Sequence, residues 1–393
     1  MTAAEAAGEL LLSDDERRVR DWARGFAAEY VRPAAAELDR DRAVPHDVLA
    51  AAHRAGLTTF AVPEEFGGGG MTSVLATALI AEEMSWGCVG VYSYIEGLNM
   101  FVSALCEAGT DVQQEQWLTK LCGPDPQFAS FACTEPAAGS DVAGLQATAS
   151  RTADGWLLRG EKVFITNASM AQALIVVARV EGTSGHDGLT LFIVEGQAEG
   201  LSYGQRARTL GWRASCNCPV YLDNVFVPDS QVLGEPGRGF GAIVRTFELS
   251  RVEVAAASVG IARAALEYAR DYAVERQAFG RPISRFQGLS FPLADAATRL
   301  HAARLLTWEA ARAADRGQPL DARAAMAKLF ASETAVEVTG LAVQVLGGHG
   351  YVEDHPVEKW LRDARLETIE EGTSEIQRLI ISKALFTGQL ELG

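Results

Sequence analysis

Two carboxylates stand side by side in the stretch LETIEEGTSEIQRLI (366–380). Glu370 and Glu371 precede Gly372, and an S-x-x-Q pattern, Ser374 and Gln377, then opens an apolar helical run. A carboxylate in a turn at the head of a helix has two readings. It is solvated surface charge, or it is a general base held within reach of a substrate. Burial against an apolar slot would raise its pKa toward that of a carbon acid, and the dipole of the following helix would draw it the other way. The residue types alone leave both readings open.

Other chemistry-bearing residues lie in the punctuation between elements. FACTEPAAGSD (131–141) places Thr134, Gly139 and Ser140 in one loop. Glycine lets backbone amides approach a ligand, and hydroxyls add donors. VFITNAS (163–169) is a second segment end with an aromatic and a threonine together. ERQAFGRPISRFQ (275–287) offers Arg276, Arg281 and Gln287 around a Phe-Gly turn, a set suited to a phosphate-bearing ligand. QVLGGHGY (344–351) has three glycines in four residues, more than a helix C-cap needs. The glycine-rich VPEEFGGGG (62–70) follows no strand and lacks G-x-G-x-x-G, so it is not read as a dinucleotide loop.

Three kinds of element must position these loops. The first third reads as helices: Ser13 and Glu16 stand at capping-box spacing, and Val19, Trp22, Ala23, Phe26 and Tyr30 share one face. From about Gln127 the runs become short, β-branched or aromatic, broken by Gly, Asp and Asn, with Asp154-Gly155 as a hairpin signal. No long helical segments separate them, so an antiparallel β-domain is expected. From about Gly237 the helical period returns in four long amphipathic segments, which predict an antiparallel bundle. The fold class is thus α+β, mainly α, with expected domains at 1–124 (N-terminal helical), 125–236 (middle β) and 237–393 (C-terminal four-helix bundle).

Composition narrows the function classes. The chain has 393 residues, 48% hydrophobic, and a net charge of −16, which argues against nucleic acid as a partner. From Leu201 to Arg285 the balance reverses: eleven arginines minus eight acids gives +3, marking where an anionic ligand would bind. No apolar run reads as a membrane span, and the acidic opening MTAAEAAGELLLSDDERRVR does not read as a secretory signal. Six cysteines without paired C-x-x-C spacing read as free thiols of a reducing cytoplasm, and the six histidines form no metal motif, so no metal is expected.

TEPAAGSD, FITN, LGWRAS, RQAFGRPI, QVLGGHGY and EGTSEIQR, in this order over nearly the whole chain, resemble the acyl-CoA dehydrogenase family of flavoproteins. The resemblance implies bound FAD, a homotetramer, an acyl-CoA or acyl-carrier-protein thioester as substrate, and an electron-transfer flavoprotein as acceptor. It implies α,β-dehydrogenation of the thioester, with Glu371 of EGTS as the base. An oxidase on the same fold is the alternative. Around the flavin it implies Phe131, Cys133, Thr134, Gly139, Ser140, Phe164 and Thr166. For the pyrophosphate and adenine half it implies Arg276, Phe279, Gln287, Gln344, Gly347 and Gly348, partly across a subunit interface, with Thr373 and Glu375 reaching the cofactor from the last turn.

Toward the substrate the resemblance implies Ser140, Arg251 near the pantetheine arm, Glu248 one turn back, and Gly372. GVYSYIEGLN (89–98) resembles the acyl-tail end of medium-chain members, with Glu96 near the floor of the slot, which implies a short-to-medium chain. Some relatives carry the base just before the bundle arginine. Here that residue is Ser250, which is no carbon-acid base, so Glu371 keeps the role. Two positions depart from the pattern. Phe164 stands where tryptophan is usual. Glu370 stands where an aromatic or small residue is common, and is expected either to turn out to solvent or to tune the base.

Overall fold

A computed structural model describes residues 12–390, so most of the acidic opening lies outside the described residues. Helix α1 (Asp14–Phe26) starts on the expected capping box: Ser13 Oγ accepts from Glu16 N–H, and the Glu16 carboxylate accepts from Ser13 N–H. Helices α2 (Arg32–Asp41) and α3 (His46–Arg54) follow. Helix α4 (Val74–Ala108) is the spine of the N-terminal domain. It breaks its helical backbone at Cys88 (φ −167°) and resumes. Helix α5 (Asp111–Leu121) closes the domain.

The middle domain is one eight-stranded sheet: β1 (Phe128–Ala132), β2 (Thr148–Arg151), β3 (Gly155–Thr166), β4 (Ala171–Val180), β5 (Leu189–Glu195), β6 (Leu201–Tyr203), β7 (Asn217–Pro228) and β8 (Val232–Leu233), in the order β6-β7-β3-β2-β4-β5-β8 with β1 beside β4. Most pairings are antiparallel, including the β2–β3 hairpin at the Asp154-Gly155 turn. Two pairs, β1–β4 and β2–β4, are parallel. Short segments with no helix between them read as hairpins in sequence. Here β4 draws its two parallel neighbours from strands earlier in the chain, so loops rather than helices make those crossovers.

The C-terminal domain packs α6 (Phe240–Glu275), α7 (Gln287–Asp315), α8 (Asp321–Leu346) and α10 (Ser374–Phe386). It also contains α9 (Val357–Glu367), a fifth helix that the sequence reading does not contain. Its charged sequence VEKWLRDARLE hides an apolar face of Val357, Trp360 and Ala364, all buried. A two-strand ribbon, β9 (Gln277–Ala278) and β10 (Arg281–Pro282), joins α6 to α7.

Helix α4 lies along α6 and ties the first domain to the bundle. The approach is close: a Cβ on Gly260 would come 2.2 Å from the Glu82 carbonyl oxygen, so only glycine fits. One core cluster therefore runs from Ala23 and Leu79 through Val252 and Ala256 to Trp360. By length and composition α4 and the segment Asp321–Tyr351 are apolar enough to cross a membrane, contrary to expectation. The apolar window is 83% buried in α4 and 50% buried in the second segment. A helix covered by other helices needs no polar face, so interior helices pass the same test.

Candidate active site

The turn between α9 and α10 carries the paired acids. Glu371 (φ +49°) and Gly372 (φ +93°) lie in succession in the left-handed region. A side chain pays steric strain there, and such strain concentrates at functional sites. Donors from three helices clamp the turn. Arg251 Nε of α6 reaches the Glu371 carbonyl at 3.3 Å. Lys328 Nζ of α8 reaches the Gly372 carbonyl at 2.9 Å. Gln377 Nε2 of α10 donates to both, at 3.2 and 2.7 Å. Thr373 caps α10 through its hydroxyl, which accepts from Ile376 N–H.

Among the described residues the Glu371 carboxylate has one donor, Ser250 Oγ, at 2.7 Å to Oε2. Burial raises its pKa above the ordinary value, while the Ser250 hydrogen bond and the charges of Arg251 and Lys328 pull it back. Ser250→Ala removes a donor to the ionised form. The acid limb of the kcat/KM pH profile is therefore expected to move to higher pH in that variant, which stopped-flow rates across pH would show. An unmoved limb would mean that Ser250 does not tune Glu371.

Glu370 does not turn out to solvent. Its Oε1 is buried without a hydrogen-bond partner, and burial, then the charges of Glu367 and Glu371, push it well above the carboxylate range. Glu367, fully buried on α9, accepts from Ser258 Oγ at 3.1 Å and is pushed up to about 8, mainly by burial. Glu96 of α4 is also buried and raised, by burial and then by Glu370 and Glu253. Tyr92 and Tyr94 are fully buried; their hydroxyls donate to Glu253 and to the Ala214 carbonyl.

A groove of about 210 Å³ leads toward this turn, lined by Ser140, Phe240, Phe247 and Arg251. Arg251 does not pair with Glu248. It meets Asp321 at 3.2 Å, while Glu248 meets Arg245 at 3.1 Å. Successive turns of α6 send the two side chains to different neighbours.

The ends of β1 and β3 bring Phe131, Cys133, Thr134, Phe164 and Thr166 to one edge of the sheet, with Gly139 and Ser140 exposed on the loop beyond β1. Burial pushes the Cys133 thiol up to about 12, so it is a packing group and no nucleophile. Lys162, absent from the sequence reading, anchors this edge. It is fully buried, and its Nζ reaches the Cys133 carbonyl at 2.8 Å and Glu135 Oε1 at 2.7 Å. Glu135 also accepts from Gln146 N–H at 2.6 Å and Ala147 N–H at 2.9 Å.

A second set sits at the far end of α6 and α8. Arg276, Gly347 and Gly348 line an open groove of about 630 Å³, with Phe279, Gln287 and Gln344 exposed nearby in the chain. Among the described residues no hydrogen bond, ion pair or ring contact joins this set to the sheet edge. Glu375 is exposed on the first turn of α10. The local excess of arginine is mostly structural: Arg206 holds three backbone carbonyls, and Arg213, Arg245, Arg251, Arg263 and Arg270 pair with acids.

Three acyl-CoA dehydrogenase domain families match in succession: the N-terminal domain at residues 13–124, the middle domain at 130–225 and the C-terminal domain at 237–386. The chain belongs to the acyl-CoA dehydrogenase family. The short-chain specific acyl-CoA dehydrogenase of Rattus norvegicus mitochondria is 38% identical over 94% of this chain and 90% of its own length. Butyryl-CoA dehydrogenase from Megasphaera elsdenii superposes with a TM-score of 0.92 at 34% identity, covering 95% of this chain and 99% of that one. A solved FAD complex of PigA superposes at 0.91 with 28% identity, covering 95% and 98%.

Acyl-CoA dehydrogenases are FAD-dependent oxidoreductases, and the residues present fit that group. Phe164 holds a 71% exposed ring on a strained backbone (φ +59°), and Phe279 a 95% exposed ring at φ +51°. Apolar rings held out at steric cost need a flat partner to cover them. At Gly139 an added Cβ would meet only Thr134 at 4.0 Å, and at Gly347 and Gly348 nothing within 4 Å, so a ligand has room to come close to the backbone there.

Proposed function

We propose that the chain removes the α-proton and β-hydride of a short-to-medium acyl-CoA, giving the 2-enoyl thioester, with Glu371 as the base. The observation that carries this reading is the clamped turn. Glu371 alone combines a raised pKa, a single orienting donor and a backbone fixed from three helices. Ser250 aims the carboxylate, and Arg251 and Lys328 supply the positive charge that lets it ionise in a buried site. Among the described residues the Glu371 backbone N–H makes no hydrogen bond, so it is a free donor for the thioester oxygen as negative charge gathers there.

FAD, when bound, supplies the acceptor for the β-hydride. Phe131, Cys133, Thr134, Gly139, Ser140, Phe164 and Thr166 would hold its ring end. Arg276, Phe279, Gln287, Gln344, Gly347 and Gly348 would hold its phosphate and adenine end, with Thr373 and Glu375 at the last turn. An electron-transfer flavoprotein is proposed as the partner that reoxidises the enzyme. The exposed rings of Phe279, Phe291, Tyr351 and Phe386 on the bundle support assembly as a homotetramer, and six free thiols support a cytoplasmic location.

The test is anaerobic titration of the purified flavoprotein with acyl-CoA thioesters of increasing length. Loss of oxidised-flavin absorbance, together with 2-enoyl product, is expected with at least one. No bleaching with any thioester would end the dehydrogenase reading.

A further inference from the structure

Buried carboxyl groups that the chemistry above does not use come from α4, from α6 and from the turn before Glu371. On α4, Tyr92, Glu96 and Asn99 share one helical face, and Glu253 follows Ser250 by three residues on α6. Glu253 Oε2 accepts from the Tyr92 hydroxyl at 2.8 Å and from Asn99 Nδ2 at 3.2 Å. Glu96 is only 6% exposed, and its Oε1 is buried with no partner; the Oε1 of Glu370 is in the same state. Glu96 lies on the α4 face whose Tyr92 and Asn99 both reach Glu253, and the charges of Glu370, Glu253, Glu367 and Glu371 add to burial in raising its pKa.

Helix α4 also shows how the fold treats carboxylates that only stabilise. Glu83 meets Arg263 at 2.5 Å and Arg24 at 3.0 Å, and Glu82 meets Arg304 at 2.8 Å. No such cation comes to Glu96, Glu253 or Glu370 among the described residues. The nearby Lys328 donates to the Gly372 carbonyl, and Arg251 to Asp321 and the Glu371 carbonyl. Nor do the described residues group three or more metal-binding side chains in a way that could hold an ion.

An unpaired buried carboxyl oxygen is costly, and a hydrocarbon tail would leave those of Glu96 and Glu370 without partners. A chain ending in N–H donors would satisfy them. We infer that the preferred substrate is an acyl thioester whose tail carries a protonated amine, seated among Glu96, Glu253 and Glu370 while Glu371 faces the α-carbon. Burial pushes Glu253 up to about 7 and Glu96 well above the carboxylate range, and an arriving cation would favour their ionised forms. This inference rests on the dehydrogenase function proposed above.

The test compares 5-aminopentanoyl-CoA, kept acidic until mixing to prevent lactam formation, with its isostere hexanoyl-CoA and with 5-hydroxypentanoyl-CoA, all on the holoenzyme. The amine is expected to exceed hexanoyl-CoA at least tenfold in kcat/KM. Glu96→Gln and Glu253→Gln, which keep side-chain volume, are expected each to erase most of that advantage, chiefly through KM. Oxidation of hexanoyl-CoA as fast as the amine, or faster, overturns the inference and leaves the dehydrogenase reading standing. A clear preference for the hydroxyl tail overturns the amine in favour of a neutral donor. No oxidation of any of the three also overturns the inference, and the dehydrogenase reading falls with it only if the thioester length series fails to bleach the flavin.

Discussion

Glu371→Gln is expected to oxidise acyl thioesters about 10²–10⁴-fold more slowly than the native enzyme, the usual contribution of a positioned general base. The amide matches the carboxylate in volume and can still accept from Ser250 Oγ. The donors that clamp this turn grip backbone carbonyls, which the substitution leaves in place. Cofactor content and melting midpoint should therefore stay close to native while turnover falls. A second readout separates the base from a merely structural residue: exchange of α-deuterium between substrate and solvent should also vanish. A turnover rate within a few-fold of native would remove Glu371 from the role.

Lys162→Met is expected to destabilise the protein by about 3–5 kcal/mol, the cost of stripping one partner from a buried ion pair. Both members are deeply buried, with side chains 0% and 4% exposed. The loss strands the Glu135 carboxylate, which still accepts two backbone N–H groups, and frees the Cys133 carbonyl. Urea unfolding measures the first effect. The second should appear as weaker cofactor retention, because residues 133–135 lead into the loop of Gly139 and Ser140. Adding Glu135→Gln neutralises the stranded charge and keeps an acceptor, so the double variant should recover part of the loss. A Lys162→Met enzyme as stable as native would show that the pair is not needed.

The three-part architecture was legible because each part has its own period: helical in the first third, short alternating runs in the middle, helical again to the end. The glycine loops and the EGTS turn were legible because their residue types are unusual where they stand. Lys162 was not, since a lysine within an alternating strand reads as exposed, and its partner lies 27 residues earlier in the chain. Ser250, Lys328 and Gln377 are polar residues on helices, and only packing aims them at the Glu371–Gly372 turn. Glu253 had a faint signal, three residues beyond Ser250 on the same helix face. Nothing local marked it as buried. Glu370 was legible as an anomaly, and its environment removes the first of the two expectations: its Oε1 is buried, not solvated.

The clamp on the turn also fixes when the protein becomes an enzyme during its own synthesis. The sheet and the long helices α4, α6 and α8 can assemble from a growing chain well before its end. The Glu371 turn cannot be fully gripped at that stage, because one of its three grips, Gln377, lies on α10, downstream of all of these. A nascent chain therefore holds most of its core while it is still catalytically silent. A message cut short before α10 would encode a largely packed protein whose Glu371 turn has lost that hold.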